Sequence, residues 1–209
     1  MDRPEQDKAA ALQAIAEEVR RCRLCNLGKT RLKAVPGEGP ADADVMFIGE
    51  APGFQENQQG RPFVGPAGKL LEELLESIGL KRSDVYIANV IKCRPPENRD
   101  PLPAEIQACA AYLDRQIAVI QPKVIVTLGR FSMARYFPGA TISRIHGLPK
   151  KGDGVTYYPV HHPAAALHQP SLRQTLEQDF RKIPQILAGV VAEHSRPDPK
   201  TQMEQLRLL

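Results

Sequence analysis

The chain of 209 residues contains no apolar run near the roughly 20 residues that a membrane span needs. Its first residues, MDRPEQDK, are too acidic and polar for a secretory signal. The expectation is a soluble cytoplasmic protein with no membrane contact. No internal repeat is visible. The Gly- and Pro-rich stretch GEAPGFQENQQGRPFVG (Gly49–Gly65) follows an apolar run and leads into an amphipathic segment, as a phosphate cradle would. It lacks the Lys-Ser or Lys-Thr pair that grips an NTP and its metal, and its charges are Glu50, Glu56 and Arg61. The H-x-E and P-C-x-x-C patterns of zinc nucleobase deaminases are also missing, which excludes that chemistry.

An apolar fraction of 42% is that of a globular protein, and the length suits one domain with a core between two helical layers. The expected division is one domain over 1–190 and a tail over 191–209, where EHSRPDPKTQ turns polar and Pro-broken. The formal charge of +4 is mild, but the basic residues bunch at Arg20, Arg21 and Arg23, at Lys29, Arg31 and Lys33, and at Lys150 and Lys151. Such clusters suit a polyanion partner, and solvated faces are the alternative.

Apolar spacing predicts helices over about 5–21, 68–78, 103–120, 130–136 and 171–187. Buried-strand patterns lie at Val45–Ile48, Val85–Cys93, Lys123–Gly129 and Val155–Val160. Strand and helix alternate, which argues for a parallel sheet with helices on both faces. Ligands bind such sheets at the carboxyl ends of the strands. That rule aligns the GEAPG loop, Asn89 and His162 along one edge.

The cysteines are Cys22, Cys25, Cys93 and Cys109. The C-x-x-C pair follows a helix and is flanked by Arg, unlike a redox dithiol at a strand-to-helix turn. Structural zinc usually takes two close pairs, which the spacing of Cys93 and Cys109 fits poorly. An iron–sulfur cluster accepts thiolates from scattered segments, and Cys93 and Cys109 could also be buried small hydrophobes. The spacing does not identify a metal.

Taken together, GEAPG…GRPFVGPAG, NVIKCRPPENRDP, HHPAAAL and the four cysteines closely resemble the family 4 uracil-DNA glycosylases, from about Cys22 to Leu187. The resemblance implies a three-layer α/β/α fold around a four-stranded parallel sheet. It also implies a [4Fe-4S] cluster on Cys22, Cys25, Cys93 and Cys109, and removal of uracil from single- or double-stranded DNA. The implied uracil pocket comprises the GEAPG loop, with Ala51 and Gly53, together with Phe63, Asn89 and His162.

The chemistry asks for the same residue types. A base to be cut from its sugar must be extruded into a snug pocket, and Phe63 offers it a flat apolar face. An amide such as Asn89 can match the O4 and N3–H edge of uracil and leave cytosine's amino group mismatched. Cleavage creates a sugar cation and a uracil anion, so catalysis is stabilisation of charge that appears only in the transition state. His162 suits the anion. A carboxylate, Glu50 or Glu56, suits the cation and the attacking water. His161 and His162 are adjacent and face opposite ways in extended chain. His162, before Pro163, is expected in the pocket.

Two departures stand out. The family often has a second acid where this chain has Asn57, which motivates a rival reading as a non-catalytic nucleic-acid-binding module. The stretch RPPENRDPLP carries no inserted reactive His, so ordinary hydrolysis without a stable DNA adduct is expected. Arg144, His146 and Lys150 are the expected grip on the DNA backbone. At the terminus, Gln205, Leu206, Leu208 and Leu209 resemble a peptide that docks into the bacterial sliding clamp, with a helical turn packed on the domain as the alternative. The expected state is a monomer that associates with the nucleoid when acting.

Overall fold

The computed structural model describes residues 3–152, 154–167 and 169–194. Helix α1 (Arg3–Arg21) buries Leu12, Ile15 and Val19, spaced to lie on one face. It is followed by the short α2 (Leu27–Thr30) and by β1 (Val45–Gly49), which is buried throughout. Helix α3 (Phe54–Gln59) ends at Gly60, whose φ of 78° favours glycine. Helix α4 (Pro66–Ser77) opens with a proline in its first turn and buries Leu70, Leu71, Leu74 and Leu75. Strand β2 (Tyr86–Asn89) leads to α5 (Pro103–Ile120), whose Glu105 carboxylate accepts from the Leu102 N–H at 2.9 Å. Then come β3 (Val124–Leu128), α6 (Arg130–Ala134), α7 (Ile142–Ile145), β4 (Lys150–Lys151) and β5 (Thr156–Val160). Helices α8 (Pro163–Ala166), α9 (Pro170–Phe180) and α10 (Ile183–His194) complete the described chain.

The sheet order is β2-β1-β3-β5-β4. Four strands are parallel, and β4, two exposed residues long, pairs antiparallel with β5. This is the expected parallel sheet with one short edge strand added. Along β1 the side chains alternate: Val45 and Phe47 join the core under α4, α9 and α10, while Met46 and Ile48 join the core under α1 and α5. The result is the expected three-layer α/β/α sandwich. From β1 the chain pairs β2 on one side and β3 on the other, so the switch point where such folds bind ligands lies at β1's carboxyl end.

Three expectations change. The helix expected over 171–187 is two helices, because Pro184 has no N–H to continue the ladder. The last of these runs to His194, past the expected domain boundary at residue 190. The strand expected to reach Cys93 ends at Asn89, beyond which Val90 and Ile91 donate to the carbonyls of Gly49 and Glu50 at 3.0 and 3.1 Å. Residues 205–209, with Gln205, Leu206, Leu208 and Leu209, lie outside the described residues.

Candidate active site

Gly49 ends β1, and the neighbouring side chains need its lack of a side chain. A Cβ there would lie 2.4 Å from Asn89 Oδ1 and 2.7 Å from the Phe63 ring. Asn89, which ends β2, is 1% exposed, and its Oδ1 has no hydrogen-bond partner among the described residues. Leaving a buried acceptor unpaired costs about 1–3 kcal/mol, so a ligand bringing an N–H recovers that loss. The Phe63 ring stacks on His162, with centroids 5.6 Å apart. Three residues from separate parts of the chain therefore surround one small space at the switch point.

Phe63 takes φ of 51°, a left-handed conformation uncommon outside glycine. Arg82 fixes it by donating to the carbonyls of Pro62 and Phe63, the latter at 2.9 Å, while also facing Glu38 and Glu72. Behind it, a Cβ on Gly68 would lie 2.0 Å from the Phe63 oxygen, so α4 approaches this turn closely only through glycine. His162 caps α8: its Nδ1 accepts from the Ala164 N–H at 3.1 Å. That bond leaves the proton of the neutral ring on Nε2. Burial pushes the His162 pKa down to about 4, so the ring is neutral near pH 7.

The two candidate acids differ in what engages them. Glu56 Oε1 accepts from the N–H groups of Val64 and Gly65, both at 2.9 Å, and so holds the turn that carries Phe63. Glu50 is half-buried, and its carboxylate makes no hydrogen bond among the described residues. Burial raises its pKa, nearby Asp100 adds to the rise and Arg130 partly offsets it. Asn57 is buried and turned away from the pocket, its Oδ1 accepting from the Leu32 N–H at 3.0 Å. An amide or a carboxylate could accept that bond.

The structure separates the two histidines as expected: His161 faces His146, ring centroids 4.8 Å apart, rather than the Phe63 space. Of the expected DNA-binding residues, Arg144 is exposed on α7. Lys150 is exposed on β4, donating to the Tyr136 carbonyl at 3.1 Å. His146 is instead held against buried Asp179, Nδ1 to Oδ2 at 2.7 Å. Ala51 is partly buried against the core on the α1 side of the sheet, and Gly53 opens α3, where a Cβ would meet Glu56 Oε2 at 2.7 Å.

All four cysteines line one cavity between the end of α1, α2 and α5. None forms a disulfide. The Arg31 guanidinium donates to Cys93 Sγ at 3.0 Å, and the Lys92 N–H to Cys109 Sγ at 3.4 Å. Burial pushes the Cys109 thiol up to about 11 and raises that of Cys93, so thiolates there need a cationic centre beside them. Among the described residues no three His, Cys, Asp or Glu side chains make a single-ion site. A thiolate-only donor set around one cavity, with N–H groups aimed at sulfur, is one that an iron–sulfur centre accepts.

Sequence reasoning missed Arg82, Lys92 and Phe54. Lys92 is 1% exposed, donates to the Asn89 carbonyl at 3.0 Å and to Gln116 Oε1 at 2.7 Å, and burial pushes its pKa down to about 7. Phe54 is exposed beside Gly53, with the Arg94 guanidinium 5.2 Å over its ring. Only the exposed aromatic carries a signal visible in sequence, in an otherwise polar stretch.

The family model of the uracil DNA glycosylase superfamily matches residues 36–187. A Type-4 uracil-DNA glycosylase of Sulfurisphaera tokodaii is 50% identical over 183 residues, covering 83% of each chain. One of Archaeoglobus fulgidus is 50% identical over 182 residues, 83% of this chain and 92% of its own. One of Saccharolobus solfataricus is 49% identical over 188 residues, 85% of this chain and 87% of its own.

Proposed function

The chain belongs to the uracil-DNA glycosylase superfamily, beside its Type-4 members, and we propose that Asn89, Phe63, His162 and Glu50 carry its chemistry. It is a DNA-repair glycosylase that removes uracil by hydrolysing the bond from the base to its sugar, leaving an abasic site. The observation that supports this assignment of residues best is the buried, unpaired Oδ1 of Asn89 beside Gly49 and Phe63.

Extruded uracil stacks on Phe63. Its N3–H donates to Asn89 Oδ1, and its O4 accepts from the Asn89 amide. Cytosine has no N3–H and carries an amino group where O4 would be, so it leaves both ends of the amide mismatched. As the bond to the sugar lengthens, negative charge gathers on the base, and the Nε2–H of neutral His162 donates to O2. Glu50, whose carboxylate makes no hydrogen bond among the described residues, orients the water and faces the developing sugar cation. Glu56 is a positioning residue for the Phe63 turn, with Ala51 and Gly53 forming the pocket wall. Asn57 does not favour the non-catalytic reading, because it serves the Leu32 backbone rather than the pocket.

Cys22, Cys25, Cys93 and Cys109 hold the [4Fe-4S] cluster. When bound it supplies a structural cross-link that ties the end of α1 to α5 and to the segment beyond Asn89. Arg144 and Lys150 contact the DNA backbone. The protein acts as a monomer, its single domain is followed by a tail, and Gln205, Leu206, Leu208 and Leu209 dock into the sliding clamp. Among the described residues no helix is long and apolar enough to cross a membrane.

The test is to incubate the protein with single- and double-stranded oligonucleotides that each carry one uracil and to look for alkali-labile sites. Strand breakage at the uracil is expected. Intact strands with DNA binding retained would instead indicate a binding module.

A further inference from the structure

The carboxyl edge of the sheet continues past β2 into a groove of about 480 Å³ lined by Arg20, Arg23, Arg31, Lys33 and Arg61 together with Gln59. Among the described residues no carboxylate lines it. Arg61 is already paired with Glu38 at 2.6 Å, and Arg31 is turned to Cys93. Arg23 donates to the carbonyls of Cys22 and Gly28 and makes no ion pair among the described residues. Arg20 and Lys33 are exposed and make no ion pair among the described residues. Three cations with no carboxylate partner among the described residues therefore face one groove, an arrangement that concentrates anions.

The groove is tied to the uracil pocket by backbone. Lys33 N–H donates to the Asn57 carbonyl at 3.1 Å, and Leu32 N–H to the Asn57 side chain. Both bonds fasten the groove's wall to α3, which opens at Gly53 beside the pocket and reaches the groove at Gln59 and Gly60. Six helical residues span roughly 9 Å. Along the edge the strand ends follow in the order Asn89, Glu50, Gly129, His162; the groove's segment flanks β2, where the Val35 N–H donates to the Lys92 carbonyl, and the Arg144 segment flanks β5, where the Gly147 N–H donates to the Pro159 carbonyl. Adjacent strands are about 4.8 Å apart, so β2 to β4 covers about 19 Å. The pocket thus lies between the basic groove and exposed Arg144.

We infer that the groove lined by Arg20, Arg23 and Lys33 is a phosphodiester-binding site that holds the DNA backbone to one side of the extruded nucleotide. The inference rests on the glycosylase reading for the identity of the DNA, but not for the charge of the ligand. Phosphate contacts of this kind carry no sequence information and supply affinity that falls steeply with salt.

The experiment compares the full-length, iron-loaded wild type with Arg20→Gln, Lys33→Gln and the double variant. Binding to uracil-free duplex DNA is measured across a salt series. Each substitution should lower the slope of log affinity against log salt by about 0.9, and the pair by about 1.8. The visible chromophore and the excision rate at saturating uracil-DNA should not change, since both side chains are exposed and neither hydrogen-bonds a pocket residue or a cysteine among the described residues. Shortening the DNA on one side of the uracil should abolish the difference between wild type and variant, while shortening it on the other should not. An unchanged slope and affinity for the double variant would overturn the inference even if uracil is excised normally. Loss of slope in a protein that excises nothing would keep the groove and sink the glycosylase reading.

Discussion

Phe63 and His162 stack with ring planes 28° apart, and each is held by its neighbours rather than by its own preference. Phe63 is kept at a positive φ by Arg82 and by the close approach of Gly68, and His162 is oriented by the Ala164 N–H. The face offered to the base is therefore set before any DNA arrives, which limits the ordering cost of binding.

Gly68→Ala tests that arrangement. A Cβ at 2.0 Å from the Phe63 oxygen cannot be accommodated without moving the turn. Overpacking of this kind costs about 1–3 kcal/mol. A lower Tm together with a raised KM for uracil-DNA is expected, and a variant with wild-type melting and kinetics would show that the turn is not fixed from behind.

His162 makes both stability and activity depend on acid. Its pKa falls from 6.5 in the unfolded chain to about 4 in the fold, because burial disfavours the charged ring. Between those values the unfolded state binds the extra proton, so stability rises with pH through this window and is lost as pH falls. His161 is lowered as well and acts in the same direction, whereas the raised carboxyl of Glu50 acts in the opposite one. His162→Leu should flatten part of the Tm profile between pH 4 and 6.5 and lower kcat by on the order of 10²–10³. Thermal melting and single-turnover rates across that range check both.

The cysteine cavity predicts a coupled loss. Cys109→Ser, or removal of iron by a chelator, should bleach the visible absorption, lower Tm, and expose the segment from Cys22 to Lys33 to protease, because the link from α1's end to α5 is gone. A colourless wild type containing no iron would remove the cluster from the account.

Deleting residues 205–209 should abolish binding to the sliding clamp while excision on short oligonucleotides stays unchanged. Surface-immobilised clamp provides the measurement, and unchanged binding would assign the tail another role.

Strands β1, β3 and β5 were legible because continuous apolar runs bounded by Gly and Pro have few other fates in an alternating fold. Strand β4 was not, since two exposed lysines carry no pattern and pair only because β5 is beside them. The short helices α2, α3, α7 and α8 were missed because they are less than two turns long, too short for periodicity to register. The pocket's parts could be aligned because Gly49, Asn89 and His162 each stand at or just beyond a strand end, and topology alone collects strand ends on one edge. Arg82, Lys92 and the backbone task of Asn57 could not be read this way. Each is a polar residue whose burial depends on partners far off in sequence, such as Pro62 and Phe63 for Arg82 and Gln116 for Lys92.

The central claim, that Asn89 reads the base, is tested most directly by single-turnover excision from duplexes identical except for uracil or cytosine at one position. The wild type should release uracil and leave cytosine. Asn89→Leu should retain or gain thermal stability, since an unpaired buried acceptor is removed, yet lose uracil excision. Asn89→Asp, which as a carboxylate only accepts, should lose much of the uracil rate and narrow the gap to cytosine. Variants at residue 89 that excise uracil at the wild-type rate, with cytosine still rejected, would contradict the account.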